Sequence, residues 1–297
     1  MSAATLSTNS KPKVIRKRTL WRDAWRSFFK NRLATAGLVI VLVFVFMAIF
    51  ADLISPTPYY KSVLSENLKF PSWQHLLGTD PVGRDVLSRI IYGARTSLTV
   101  GFAVQLIAFG IGLPLGAAAG LRGGWVDFLV TRLLEVMAAF PGFLFAIFIM
   151  SILGAGIQNV ILAIGITSWV EVTRLTRGQL LALREREFVT AARSYGADDV
   201  RIVLRHLLPH ALPSLLIMLA LGIPSAIFGE AGLSFLGVGI NDPIPSWGKM
   251  VSESLGYIRV YWYLGIFPTL TIALAMLSFN FLGDGLRDAL DPTMYNV

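Results

Sequence analysis

Residues 136–170 read VMAAFPGFLFAIFIMSILGAGIQNVILAIGITSWV, 35 consecutive positions without a charged side chain. A helix rising 1.5 Å per residue needs about 20 apolar residues to cross a bilayer. The stretch is therefore too long for one straight span. Gly154-Ala155-Gly156 followed by Gln158-Asn159 offers a turn in its middle. This predicts two transmembrane helices, at 128–154 and 157–176, and with them an all-α polytopic membrane fold.

The composition agrees. Of 297 residues, 55% are hydrophobic and 15% charged, against about 25% charged in ordinary soluble domains. A core hides apolar side chains only in proportion to its volume, so a chain with a mean hydropathy of +0.64 would expose large apolar patches to water. Lipid is the expected solvent. The absence of cysteine removes disulfides, thiolate metal sites and cysteine nucleophiles together.

Gaps between charges elsewhere place further spans at 33–53, 96–121, 211–237 and 260–283, six in all. Pro141, Pro224 and Pro268 fall inside them and would bend helices that a membrane bundle can accommodate. Gly101, Gly110, Gly112, Gly116 and Gly120 recur through the second span, where small residues let backbones approach closely.

Charge position sets the expected orientation. Residues 1–32 carry nine basic side chains (Lys11, Lys13, Arg16, Lys17, Arg18, Arg22, Arg26, Lys30, Arg32) and one acid, Asp23; the remaining 265 residues hold 17 of each sign. A basic run leading straight into an uncharged stretch reads as a topogenic anchor rather than a nucleic-acid arm, and it holds its flank in the cytoplasm. The 19-residue apolar stretch from Leu33 to Ala51 exceeds the ~7–15 of a signal peptide. The expected organisation is a basic cytoplasmic segment, 1–32; a first span, 33–53; an extracytoplasmic loop, 54–95; a five-helix core, 96–283; and a cytoplasmic tail, 284–297.

The inside segment 185–209, EREFVTAARSYGADDVRIVLRHLLP, is too polar to cross lipid and reads as two short helices. The first runs through Phe188, Ala191, Ala192 and Tyr195 and stops at Gly196, whose missing Cβ suits a helix C-terminus. Asp198 can cap the second, in which Val200, Val203, Leu204, Leu207 and Leu208 recur at helical spacing. Arg201 and Arg205 lie off that face, and Pro209 ends or redirects the element. By themselves these residues are compatible with an amphipathic helix lying under the membrane.

They also resemble the EAA loop of ATP-binding cassette importer permeases, E-A-A, three residues, G, nine residues, I-x-L-P. Ala191-Ala192 precede Gly196 by three residues, and His206-Leu207-Leu208-Pro209 follow nine residues later. Thr190 replaces the glutamate and His206 the isoleucine. GTDPVGRDVLSRIIYGARTSL at 78–98 and GEAGLSFLGVGINDPIPSWGKM at 229–250 are similar to signatures of the C-type permease of dipeptide, oligopeptide and nickel importers, and the resemblance spans nearly the whole chain. It implies a non-enzymatic subunit that pairs with a homologous second permease, two cytoplasmic ATPase subunits carrying ATP and Mg2+, and an extracytoplasmic solute-binding protein. The chain would contain no cofactor of its own, and 185–209 would couple it to the ATPases. Peptide is the expected cargo, with nickel chelate or glutathione as alternatives. No G-x-x-x-x-G-K-[ST] loop occurs, consistent with hydrolysis elsewhere.

Other residues carry weaker signals. His206 and His210 are four apart but flank a proline and lack a carboxylate at ligand spacing, so no metal is expected. Arg132 with Glu135, and Glu171 with Arg174, are i,i+3 near predicted inner ends and suit local ion pairs. Glu230, toward the outer end of the fifth span, could meet a peptide amino group or a partner arginine. Asp80, Arg84, Asp85 and Arg89 read equally as an external cap held by local charges and, with Trp247, as part of an outer mouth. A proton-coupled transporter places acids or histidines mid-membrane, and none falls there in these spans. An intramembrane protease needs a dyad or H-E-x-x-H, and no such motif occurs.

Overall fold

The computed structural model describes residues 20–290. The early basic residues Lys11 to Arg18 and the end of the expected tail, 291–297, lie outside the described residues. The described chain is helical, and its single β contact is an isolated bridge between Thr79 and Asp85.

α1 (Leu20–Lys30) turns at Asn31, whose side chain accepts from Leu33 N and Ala34 N and so starts α2 (Arg32–Ile49). A short α3 (Ala51–Ile54) follows, and the chain then crosses a non-helical cap to α4 (Val86–Arg122), capped by Asp85. Next come α5 (Gly124–Ala138) and α6 (Gly142–Leu153), bent by 79° at a break before Pro141. That proline removes an N–H and disfavours helix at Phe140. Gly154 (φ +79°) ends α6, and Asn159 Nδ2 donates to the Leu153 and Gly154 carbonyls, forming the expected turn. α7 (Ile157–Arg184), α8 (Glu187–Ser194), α9 (Asp199–Ile202), a wide turn Val203–Leu207, α10 (Leu208–Phe235), α11 (Trp247–Ser254) and α12 (Tyr263–Leu290) complete the order.

Among the described residues, Arg32–Ile49, Val86–Arg122, Asp199–Phe235 and Tyr263–Leu290 each have the length and apolarity to cross a membrane, and the bent α5–α6 pair makes a fifth if its two helices are counted as one broken span. The sixth expected span lies within α7, which falls short of that apolarity because it carries Glu171, Arg174, Arg177 and Arg184. Residues 86–95, expected in the loop, are the first turns of α4. Their arginines are neutralised where they stand: Arg89 by Asp80 and Glu253, Arg95 by Asp52 and the Ala48 carbonyl.

The α4–α7 pair is the most intimate, and the glycine periodicity explains why. A Cβ at Gly112 would lie 2.7 Å from Val172 Cβ, at Gly116 2.6 Å from Thr176 Cβ, and at Gly120 2.8 Å from Leu180 Cβ. Every fourth residue of α4 is thus in backbone-level contact with α7, a separation only glycine permits. Gly110 has nothing within 4 Å. α10 packs on α12 and α4, while α1 and α2 lie against α12, burying Phe28 and Ala34 with Ala289.

Candidate functional site

The segment expected to couple lies at the end of the bundle where α4 and α7 terminate. α8 closes with Tyr195 N donating to Ala191 O, Gly196 N to Arg193 O and Ala197 N to Ala192 O, with Gly196 at φ +76°. That is the left-handed glycine cap expected from the sequence. A Cβ there would meet nothing within 4 Å, so the conformation alone demands glycine within this chain. Asp198 then caps α9, accepting from Arg201 N at 3.2 Å.

Of the two outcomes expected at Pro209, an end or a redirection, the structure shows no end. The helix runs on from Asp199 to Phe235, because one wide turn absorbs the proline: Leu208 N donates five residues back to Val203 O. Proline lacks the N–H and crowds the carbonyl four residues earlier, so the helix widens ahead of it. The extra residue splits the expected apolar face. Leu207 is buried and Val203 and Leu208 partly so, while Ile202, absent from the expected face, is also buried; Val200 and Leu204 point outward, 61% and 63% exposed. Val189, Ile202 and Leu207 pack with Leu121 of α4, Leu180 of α7 and Ala211 of α10. Thr190, Ala191, Gly196 and Pro209 are exposed, and Tyr195 is 92% exposed. Ala192 and His206 are half-buried. The outer surface is therefore apolar at Tyr195, Val200 and Leu204, with Arg186, Arg193, Arg201 and Arg205 also exposed. His210 stacks on Phe188 at 4.7 Å, and its Nδ1 donates to the His206 carbonyl at 2.6 Å.

At the opposite end, Asp80 organises the cap. Its Oδ1 accepts from Val82 N and Arg84 N, and its Oδ2 from Arg84 Nε at 2.5 Å and Arg89 Nη1 at 2.7 Å. Arg89 Nη2 lies 2.7 Å from Glu253, Arg84 Nη1 3.3 Å from Asp242, and Lys249 Nζ 3.1 Å from Asp242. Three cations and three anions thus tie the 78–89 turn to α11 and the loop before it. Burial pulls the Arg84 guanidinium down, but Asp80 and Glu253 outweigh it and hold it above its ordinary range. Asp85 accepts from Ser88 N at 2.8 Å and meets His75 Nδ1 at 2.9 Å. These acids are committed to structure.

Glu230 and Trp247 also differ from expectation, since neither faces a mouth. Both are fully buried. Glu230 Oε1 accepts from Ser234 at 2.7 Å and Ser246 at 2.6 Å. Trp247 lies on Gly93 and Phe44 and donates Nε1–H to Ile90 O at 3.0 Å. Arg132 pairs with Glu135 as expected, but Glu171 and Arg174 form no pair, and Arg177 instead bridges to Asp127 on α5.

What sequence reading missed is a cavity of about 710 Å3 among α4, α6, α7, α10 and the end of α12. Gln105, Phe143, Thr167, Ser168, Glu171, Met218, Ser225 and Arg287 are among its lining. α7 continues past the expected span end at 176 to Arg184, so Glu171 sits midway along the helix. The available signal was the polar run Thr167-Ser168 with Glu171 inside an apolar segment.

Residues 112–295 match the family described as binding-protein-dependent transport system inner membrane component, and residues 19–71 match the N-terminal TM domain of oligopeptide transport permease C. The chain is 44% identical over 274 residues to the dipeptide transport system permease protein DppC of Alkalihalophilus pseudofirmus, covering 92% of this chain and 90% of that protein. It is 40% identical over 276 residues to the oligopeptide transport system permease protein OppC of Bacillus subtilis (93% and 90%). It is 41% identical over 276 residues to the glutathione transport system permease protein GsiD of Escherichia coli (93% and 91%). In fold it is similar to a chain of the MetNI methionine ABC transporter in an inward-facing conformation, with TM-score 0.58 and 19% identity over 69% of this chain and 97% of that one.

Proposed function

The chain belongs to the family of binding-protein-dependent transport system inner membrane components, and from that premise we propose that it imports dipeptides or short oligopeptides as one of two permease subunits. The relatives named for dipeptide and oligopeptide transport support the cargo, and the nine basic residues before Leu33 support a cytoplasmic N-terminus. A homologous permease supplies the second half of the pathway. Two cytoplasmic subunits bind ATP and Mg2+ and hydrolyse the nucleotide, and an extracytoplasmic binding protein delivers peptide. This subunit itself carries no ATPase chemistry.

The observation that carries the coupling role is the surface of residues 185–209: exposed Tyr195, Val200 and Leu204 beside four exposed arginines, over a base of fully buried Val189, Ile202 and Leu207. An ATPase seated there pushes on a packed base that already touches α4, α7 and α10, so its closure tilts the spans as rigid bodies and turns the pathway.

Gly196→Val tests this in membranes holding all subunits and the binding protein. A β-branched side chain at φ +76° costs on the order of 1–3 kcal/mol, confined to an exposed cap. The expected outcome is normal expression with at least fivefold loss of peptide uptake and of ATPase co-purification. Gly196→Asn, which tolerates the left-handed region, retains most activity. Normal uptake by the valine variant would remove the segment from the transmission path.

A further inference from the structure

Glu171 is the only acidic side chain lining the 710 Å3 cavity among the described residues. It is exposed, and no ion pair or hydrogen bond engages it among those residues. It stands 14 residues into the 28-residue α7, about 20 Å from either end at 1.5 Å per residue. It follows Ser168 by three residues and Thr167 by four, on one face of α7, so the carboxylate stands beside two hydroxyls on the cavity wall. Its sequence neighbour Arg174 does not reach it, and the nearby Arg177 is held by Asp127.

Three of the wall's hydroxyls have matching polarity, alongside the Gln105 amide and the Ser214 hydroxyl. Thr167 and Ser168 each donate to Ile164 O at 2.8 Å, and Ser225 donates to Leu221 O at 3.1 Å. A carbonyl only accepts, so these three hydroxyls have spent their hydrogens on their own helices and offer a ligand lone pairs alone. A carboxylate set among acceptor-only hydroxyls fits a cation that brings several N–H donors. Arg287, the one basic lining residue among the described residues, belongs to the last turn of α12.

Resting on the reading of the chain as a peptide permease, we propose that Glu171 is a specificity-determining residue of the translocation cavity, engaging the terminal ammonium group of the peptide in passage. The ammonium supplies three donors, to the carboxylate and to adjacent hydroxyl oxygens. The apolar part of the wall, Phe143 and Met218 among it, accommodates side chains without selecting among them.

The test uses the complete reconstituted transporter with its binding protein and compares wild type, Glu171→Gln and Glu171→Asp on two probes: dialanine, and lactyl-alanine, in which a hydroxyl replaces the amino group. The binding protein is the same in every arm, so its own preference cancels when variant is compared with wild type on each probe. Expected are at least fivefold lower dialanine uptake in Glu171→Gln, lactyl-alanine uptake and binding-protein-stimulated ATP hydrolysis unchanged within twofold, and more than half of dialanine uptake retained in Glu171→Asp. Dialanine uptake within twofold of wild type in Glu171→Gln overturns the proposal. So does a parallel fall in hydrolysis or in lactyl-alanine uptake, which would assign Glu171 to assembly or gating. A wild-type complex that imports no peptide refutes the parent reading instead.

Discussion

Alanine at Gly116 tests the α4–α7 interface most directly. Its Cβ would lie 2.6 Å from Thr176 Cβ, 2.7 Å from the Thr173 carbonyl oxygen and 3.0 Å from Arg177 N. Two of these three are backbone atoms, so no rotamer change relieves them, and α7 must back away by close to an ångström. Forcing a methyl into a packed interior costs about 1–3 kcal/mol. Replacing glycine by alanine in a helix interior returns about 1 kcal/mol, leaving a net loss of roughly 0–2. Gly110, on the same helix with nothing within 4 Å, gains the propensity term without the clash. The two alanine variants should therefore differ by ~1–3 kcal/mol, or about 2–12 °C in unfolding midpoint at ~2–4 °C per kcal/mol. Fluorescence-detected size exclusion after a temperature series on the purified complex measures it. Equal midpoints, or a more stable Gly116→Ala, would refute the claim that the glycine periodicity exists to bring these helices into contact. A double Gly116→Ala, Gly120→Ala variant should lose more than either alone, since Gly120 faces Leu180 Cβ at 2.8 Å.

The cap makes two further predictions. Asp80→Asn removes the anion between Arg84 and Arg89 and leaves a 2% exposed guanidinium with Glu253 as its remaining counter-charge; the expected loss is about 3–5 kcal/mol, read as a collapse in yield of folded protein, and wild-type yield would show that the network is dispensable. Asp242 behaves differently because its carboxylate is largely solvated. Burial pushes it up, yet the Lys249 ammonium and then Arg84 outweigh burial and hold it below the ordinary range. A lowered folded-state value stabilises above the unfolded value near 3.9 and is lost as pH falls through the folded one. Asp242→Asn should thus cost under about 1 kcal/mol at neutral pH, keep that difference flat from pH 8 to 5, and converge with wild type only in strong acid. A difference that changes between pH 8 and 5 would mean that another group titrates in the cap.

How much of this was legible beforehand follows from which interactions are local. The 35-residue uncharged stretch, the Gly154-Ala155-Gly156 turn, the break at Pro141, the cap at Gly196 and the Asp198 N-cap depend on hydropathy and on backbone preferences within a few residues, and the chain states them itself. The EAA spacing is likewise local, and family membership followed from it. Tertiary structure decided whatever depended on a distant neutralising partner. Arg89 could enter a helix only because Asp80 and Glu253 meet it, so the charge-gap rule began the second span ten residues late. Glu230 and Trp247 look like mouth residues in one dimension and are core in three, since Ser246 and Gly93 come from elsewhere in the chain to complete them. At Pro209 the sequence leaves an end and a redirection both open, and only the packed structure shows a single wide turn absorbing the proline. The charges beyond Glu171 end the expected span at 176, and packing of Leu180 and Thr176 against the glycines of α4 carries the helix itself on to Arg184, with the carboxylate midway along it. Burial of a charge is decided by what comes to meet it, and that is fixed only when the helices pack.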